Sequence, residues 1–169
     1  MAQSIGIIGC GAIGQALLRA AESGAIVGTI AGVTSRTEST ARTFLSTLRN
    51  PPPYLDRDRL IDRATLVVEM AGGHVFPDLA RDTFSSGKDL MVISIGALLE
   101  YPEVIEQSRI SGCRLLAPSG AIAGLDGIKS ACAGVVDRVV MVSRKPPNAL
   151  EGAPYLLERG ISLAGLTQE

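Results

Sequence analysis

The residues near the start of the chain that are best suited to chemistry form a glycine-rich turn. Three glycines fit the spacing GxGxxG in the segment Gly9-Cys10-Gly11-Ala12-Ile13-Gly14. An apolar run precedes the turn and an apolar pattern of helical spacing follows it, which is the context that makes this motif specific. The first glycine permits a tight bend, the second lets a pyrophosphate approach the backbone, and the third lets helix and strand pack closely. We therefore predict a dinucleotide-binding turn here; the alternative is a turn without a ligand.

A second chemical signal follows the next predicted strand. Dinucleotide sites selective for NAD carry an acidic residue about 20 residues after the glycine turn, where it binds the ribose 2′-hydroxyl. This chain reads Ser35-Arg36-Thr37 there, and the first carboxylate comes only at Glu38. A guanidinium binds phosphate through two parallel hydrogen bonds, so Arg36 suits a 2′-phosphate. We expect NADP or NAD as the cofactor, with a preference for NADP; the alternative is a solvent-exposed arginine.

Small residues follow the predicted third, fourth and fifth strands. Ligands of α/β sheets bind at the carboxyl edge, where these strands end. Small side chains leave room there for a nicotinamide ring and supply backbone groups to it, although ordinary turns are the alternative. The candidates for contact with the cofactor are Ala71, Gly72, Ser94, Gly96 and Ala121.

The chain offers few groups for acid–base or covalent catalysis. His74 is the only histidine, and we interpret it as a residue at a helix entry rather than a catalytic one. Glu69 has two interpretations: it belongs to a functional site, or it only marks the end of a strand. The N-terminus of a helix would stabilise a Cys10 thiolate, but no base accompanies it, so packing in the turn is the favoured interpretation.

The composition excludes several functional classes. The 169 residues carry 16 basic and 17 acidic side chains, so the net charge of −1 argues against nucleic acid as a partner. No apolar run reaches the roughly 18 residues of a membrane span, and the N-terminus does not resemble a signal peptide. Three widely spaced cysteines predict neither a disulfide framework nor a zinc site. We expect a cytoplasmic protein that binds no membrane.

Short apolar runs alternate with helical patterns, which predicts βαβ units and a doubly wound parallel α/β sheet. Three successive prolines at residues 51–53 must lie in a loop. A further strand at 135–143 breaks the alternation and would open a second region. The five strands of the first domain are expected at 5–8, 25–33, 65–70, 90–95 and 113–117.

Five segments carry a resemblance to a known family: residues 9–14, Val68-Glu69-Met70-Ala71-Gly72, Ser94-Ile95-Gly96-Ala97-Leu98, residues 118–126 and residues 144–147. They occur in the order seen in L-aspartate dehydrogenases, and the chain resembles that family over essentially its whole length. The stretch from Pro118 to Asp126, followed by Arg144 to Pro147, is the specific part, because many dehydrogenases share the glycine turn.

The resemblance implies that L-aspartate is oxidised with NAD or NADP to iminoaspartate, which feeds NAD biosynthesis or hydrolyses to oxaloacetate and ammonia. It implies a Rossmann domain for dinucleotide binding over residues 1–120. Residues 121–169 would begin an α/β substrate domain, incomplete in this chain, with Ala121 at the nicotinamide cofactor. That second domain would carry the site for the small-molecule substrate L-aspartate.

Members of the family are longer than this chain. Their catalytic histidine lies in a later segment, so the resemblance places it beyond Glu169 and assigns no catalytic residue within the chain. We therefore expect the 169-residue chain alone to oxidise little aspartate. We also expect a homo-oligomer, because apolar surface left uncovered in an incomplete domain favours association.

Two alternative functions stay open at this point. The chain is compatible with a truncated NADP-binding module that has no turnover. It is also compatible with another NAD(P)-dependent dehydrogenase or reductase of an amino-acid pathway, although residues 118–126 favour the aspartate enzyme.

Overall fold

A computed structural model of the chain describes residues 3–120 and 124–166. The chain divides into two compact units, Met1–Ile122 and Ala123–Glu169. Within the described ranges, none of the helices has the length and apolar character needed to cross a membrane.

A parallel sheet of five strands forms the centre of the first unit. The strands lie in the order β2-β1-β3-β4-β5, and every neighbouring pair is parallel. Parallel neighbours need long crossover connections, which explains why helices alternate with strands along this chain. The predicted doubly wound α/β fold is confirmed. The strands are β1 (Ser4–Ile8), β2 (Thr29–Thr34), β3 (Leu66–Glu69), β4 (Asp89–Val92) and β5 (Leu115–Leu116).

An extended segment beside β2 adds a sixth position to this sheet. Tyr54 forms a parallel bridge with Val33. The Val33 amide donates to the Pro53 carbonyl at 3.0 Å, and the Leu55 amide donates to the Val33 carbonyl at 2.9 Å. When this segment is counted as the third strand, the order becomes 3-2-1-4-5-6, which is that of dinucleotide-binding domains. The predicted proline loop therefore leads into the edge of the sheet, where proline is tolerated.

Helices cover both faces of the sheet. Side chains of a strand alternate between the faces, so Val67 joins the core under α3, α4 and α6, while Leu66 and Val68 join the core under α1 and α2. A 3₁₀ turn (Gly73–Val75) leads directly into α4. The helices are α1 (Ala12–Glu22), α2 (Glu38–Leu45), α3 (Arg57–Arg63), α4 (Phe76–Ser85), α5 (Ala97–Glu100) and α6 (Glu103–Ser111).

Residues 124–166 of the second unit form three short helices, α7 (Leu125–Ala131), α8 (Pro147–Leu150) and α9 (Pro154–Glu158). The strand predicted at 135–143 is wrong, because that segment has no regular secondary structure. A strand needs a neighbour for its amide and carbonyl groups, and none of the described strands pairs with it. Its apolar side chains are largely exposed. Apolar alternation alone was therefore insufficient to form a strand.

An ion pair joins β4 and β5 at the amino edge of the sheet. Oδ1 of Asp89 accepts the Arg114 backbone amide at 2.8 Å, and Oδ2 accepts Nε and Nη2 at 2.9 and 2.6 Å. Burial by itself would raise the pKa of Asp89. The hydrogen bonds and charge of Arg114 outweigh burial and hold that pKa below its usual value.

We expect Asp89→Asn to lower the urea midpoint of unfolding at neutral pH. The folded carboxyl has the lower pKa, so its stabilisation is present above the unfolded value of about 3.9 and is lost as the pH falls through the folded value. The difference between wild type and variant should therefore shrink below about pH 4. A difference in urea midpoint that stays constant with pH would show that the charge of the Asp89 carboxylate contributes nothing to stability.

Candidate functional site

A cavity of about 520 Å³ opens at the carboxyl edge of the sheet, beyond the ends of β1, β2 and β3. The chain runs from β1 outward to β2 and later crosses to β3 on the other side of β1. Ligands of doubly wound sheets bind at such a change of direction, because the connections diverge there and leave a crevice. Six residues predicted from the sequence line this cavity: Gly9, Gly11, Ser35, Arg36, Thr37 and Ala71.

The glycines of the turn serve two different purposes. Gly9 has a φ of +107°, and a Cβ there would lie 2.5 Å from the Met70 carbonyl oxygen. A Cβ at Gly14 would clash with the Gly9 carbonyl oxygen. Gly11 has an ordinary φ of −81°, and a Cβ there would meet no atom within 4 Å. The fold therefore requires glycine at 9 and 14, whereas glycine at 11 keeps space open in the cavity.

The N-terminus of α1 follows this turn directly. The Gln15 amide donates to the Gly11 carbonyl at 2.9 Å; the amides that precede it are the free donors of a helix start. Ala12, Ile13 and Gly14 belong to this first turn, which carries no acidic residue. Free amides and the positive end of the helix dipole attract phosphate. The geometry fits the pyrophosphate of a dinucleotide.

The loop after β2 carries a free positive charge. Arg36 is exposed and lines the cavity, and it forms no ion pair with any carboxylate among residues 3–120 and 124–166. Glu38, the next acid along the chain, is paired with Arg42 Nε at 2.6 Å. The Tyr54 hydroxyl donates to the Ser35 carbonyl at 2.8 Å and holds the loop. An unpaired guanidinium here has the charge that a 2′-phosphate requires.

Arg57 also lines the cavity, and sequence reasoning missed it. It is the first residue of α3, and its Nη2 lies 2.7 Å from Oδ2 of Asp82 on α4. The Asp56 carboxylate caps the helix by accepting the Arg59 amide at 2.9 Å. This capping residue marks the helix start in the sequence. Nothing in the sequence indicates that the preceding segment lies beside β2, and that pairing is what brings Arg57 to the cavity.

His74 and Cys10 both line the cavity but differ in exposure. His74 lies in the 3₁₀ turn before α4, so its interpretation as a helix-entry residue is right, and it is exposed. Cys10 is only 5% exposed, and burial raises the pKa of its thiol. A nucleophilic cysteine needs the opposite shift, so the packing interpretation of Cys10 is confirmed.

Three further predicted residues, Gly72, Ser94 and Gly96, are not among those that line the cavity. Gly72 has a φ of +102° and directly precedes the 3₁₀ turn. Ser94 and Gly96 connect β4 to α5, and Gly96 is exposed. Ala121 lies in the gap between the described ranges. Within those ranges, no group of three or more His, Cys, Asp or Glu residues could hold a metal ion.

Comparison with known proteins gives one family match and several curated relatives. Residues 9–118 match the family described as "Homoserine dehydrogenase, NAD binding domain". The chain is 36% identical to "L-aspartate dehydrogenase 3" of Bordetella bronchiseptica, over 97% of this chain and 61% of the relative. It is 38% identical to "L-aspartate dehydrogenase" of Methanosarcina mazei, over 98% of this chain and 62% of the relative. The chain thus spans about three fifths of these curated relatives.

Solved structures share the fold. A UDP-N-acetylglucosamine 3-dehydrogenase from Acidithiobacillus ferrooxidans superimposes with a TM-score of 0.62 at 18% identity, covering 80% of this chain and 45% of that one. An imine reductase from Myxococcus stipitatus, solved in complex with NAD+, gives a TM-score of 0.57 at 21% identity over 69% of this chain and 40% of that one. At such identities the likeness concerns the fold alone.

We expect Gly11→Val to weaken NADPH binding by about tenfold or more while the chain still folds. The added side chain meets open space in the chain itself but occupies the room that a pyrophosphate needs. Titration of NADPH fluorescence measures the affinity, and circular dichroism with urea unfolding measures the fold.

Gly127→Val is the matched control, because a Cβ at Gly127 in α7 also meets no atom within 4 Å and Gly127 is not one of the residues that line the cavity. Its affinity for NADPH should equal that of the wild type. Unchanged affinity in Gly11→Val would mean that the turn is structural only.

Proposed function

Since the chain belongs to the family of NAD-binding domains described for homoserine dehydrogenase, we propose that it performs the cofactor-binding part of L-aspartate oxidation. The substrate is suggested by relatives named L-aspartate dehydrogenase, which match nearly the whole chain. The cavity carries the proposal for the cofactor, because its glycine wall and free guanidinium are complementary to two separate anionic groups of NADP.

The binding residues follow the sheet edge in order. Arg36 on the loop after β2, flanked by the Ser35 and Thr37 hydroxyls, holds the 2′-phosphate through charge-assisted hydrogen bonds. Gly11 and the first amides of α1, those of Ala12, Ile13 and Gly14, hold the pyrophosphate after β1. Ala71 and Gly72 after β3, with Ser94 and Gly96 after β4, border the nicotinamide half.

The chain contributes orientation to the reaction. When bound, a nicotinamide would supply the acceptor for a hydride from Cα of L-aspartate, and oxidation to iminoaspartate would also release one proton from the amine. The residues named above would hold the cofactor after β2, after β1 and after β3 and β4, which would keep the reacting ring in one position relative to the substrate. Proton transfer requires a further acid–base group, which typically contributes about 10²–10⁴ in rate.

We also propose the domain assignment 1–120 for the cofactor and 121–169 for the beginning of the substrate domain, with Ala121 in contact with the cofactor. Division of the chain close to residue 122 supports this boundary. Exposed apolar side chains in the second unit, such as Val140 and Val142, support a homo-oligomer. Three free cysteines support a reducing, cytoplasmic location.

Arg36→Ala should weaken NADP binding selectively. Loss of a charge-assisted phosphate contact costs about 1.5–3 kcal/mol, or roughly 10- to 150-fold in Kd, and NAD lacks this phosphate. Calorimetric titration with both cofactors measures the two Kd values. Arg59→Ala is the control, because it removes the same charge from α3 outside the cavity wall and should change neither. Equal losses for NADP and NAD in Arg36→Ala would refute the assignment.

Turnover tests the substrate. The product of the whole reading frame is assayed for reduction of NADP+ and NAD+ with L-aspartate, and with L-homoserine for comparison. We expect reduction with L-aspartate only. Cofactor binding without turnover would favour the non-catalytic module, and turnover with L-homoserine would favour a different dehydrogenase.

The 169-residue chain alone should show at least about 100-fold lower turnover than a full-length relative named L-aspartate dehydrogenase, because a missing acid–base group costs about 10²–10⁴. The chain matches only about three fifths of the relatives' length, and we place the catalytic histidine in the remainder. The same assay on the isolated chain checks this. Robust turnover that is abolished by His74→Ala would overturn it and make His74 the catalytic base.

A further inference from the structure

Glu69 is the last residue of β3 and is completely buried. It lies at the carboxyl edge of the sheet, between β1 and β4. No basic side chain among the described residues forms an ion pair with it. A carboxylate removed from water without a cation is costly unless hydrogen bonds satisfy its oxygens.

Four donors from two different loops satisfy this carboxylate. Oε1 accepts the amides of Ala71 and Gly72 at 2.7 and 2.8 Å and the Ser94 hydroxyl at 3.0 Å. Oε2 accepts the Ser94 amide at 3.0 Å. Ala71 and Gly72 follow β3, while Ser94 follows β4. One side chain therefore joins the two loops that follow neighbouring strands.

The place of these loops along the sheet edge indicates which part of the cofactor they contact. The edge runs β2, β1, β3, β4. With the 2′-phosphate at Arg36 after β2 and the pyrophosphate at Gly11 after β1, the dinucleotide continues toward β3 and β4. Its nicotinamide half then lies against the loops that Glu69 joins, and Ala71 already lines the cavity.

We propose that Glu69 is a positioning residue that orients the nicotinamide half of the cofactor by fixing the loops at 70–72 and 93–96 relative to each other. This inference rests on the proposed function above. Glu69 acts through Ala71, Gly72 and Ser94, and its own side chain touches neither cofactor nor substrate.

The chemistry of the four bonds explains why glutamate is needed. An ionised carboxylate only accepts hydrogen bonds, so all four donors find an acceptor. A glutamine would turn an NH₂ group toward at least one of these donors, and that bond would be lost. An aspartate is one methylene shorter, so it would not reach both loops with the same geometry.

The test compares two ligands on wild type and on Glu69→Gln and Glu69→Asp. NADPH occupies both halves of the proposed site, whereas adenosine 2′,5′-bisphosphate contains only the adenosine half. Each variant should bind NADPH about tenfold or more weakly, as expected for one lost hydrogen bond to a buried charge. The Kd of the bisphosphate should stay within about twofold of the wild-type value, because the effects of changes at separate sites are independent to about that precision.

Asp89→Asn is the matched control. Its carboxylate also accepts a backbone amide, that of Arg114, but at the opposite edge of the same sheet. It should lower stability without changing the affinity for either ligand. If Glu69→Gln weakens NADPH binding and Asp89→Asn does not, the loss of affinity comes from the positioning of the loops and not from a general loss of stability.

Three outcomes would overturn the inference while wild type still binds NADPH. The first is unchanged NADPH affinity in both Glu69 variants, and the second is equal weakening of NADPH and bisphosphate binding. If neither Glu69 variant folds, Ser94→Ala takes their place, because it removes the hydroxyl bond to Glu69 and should weaken NADPH binding alone by a few-fold. The third outcome is that Ser94→Ala shows no selective loss of NADPH affinity. Failure of wild type to bind NADPH would instead refute the proposed function itself.

Discussion

The close approach of the glycine turn to the end of β3 is the constraint on which the rest of the first unit depends. Gly9 and Gly14 leave no room for a Cβ, because the Met70 carbonyl and the Gly9 carbonyl occupy that space. The Gly9 amide donates to the Thr34 carbonyl at 2.8 Å, which also joins the turn to β2. These contacts set where α1 begins, directly after Gly11, which lines the cavity between the three strand ends.

Charge is distributed along the same edge in a way that suits one polyanion. Among residues 3–120 and 124–166, Arg36 has no carboxylate partner, and the first turn of α1 has no acid. Glu69, at the same edge, is completely buried, and backbone and hydroxyl donors satisfy its carboxylate. Its hydrogen bonds thus organise loops, so positive binding elements and a negative structural element coexist at one edge of the sheet.

The two units differ in how well they bury their apolar residues. In the first unit, strands and helices enclose two cores, one on each face of the sheet. In the second unit, no residue of its three helices is buried, and Val135 is 91% exposed. The cavity at the carboxyl edge of the sheet therefore lies in the unit whose cores are enclosed.

The sequence by itself determined the alternating pattern of strands and helices, the glycine turn and the missing acid after β2. These features are local: each depends on periodicity, on the absence of a Cβ or on the residue type at one position. Only the tertiary structure decided which distant residues meet. The segment at 53–55 pairs with β2 and brings Arg57 to the cavity, and Glu69 bonds to Ser94, which lies 25 residues further along the chain. Residues 135–143 alternate as a strand would, yet they form none, because pairing requires a neighbour that periodicity does not supply.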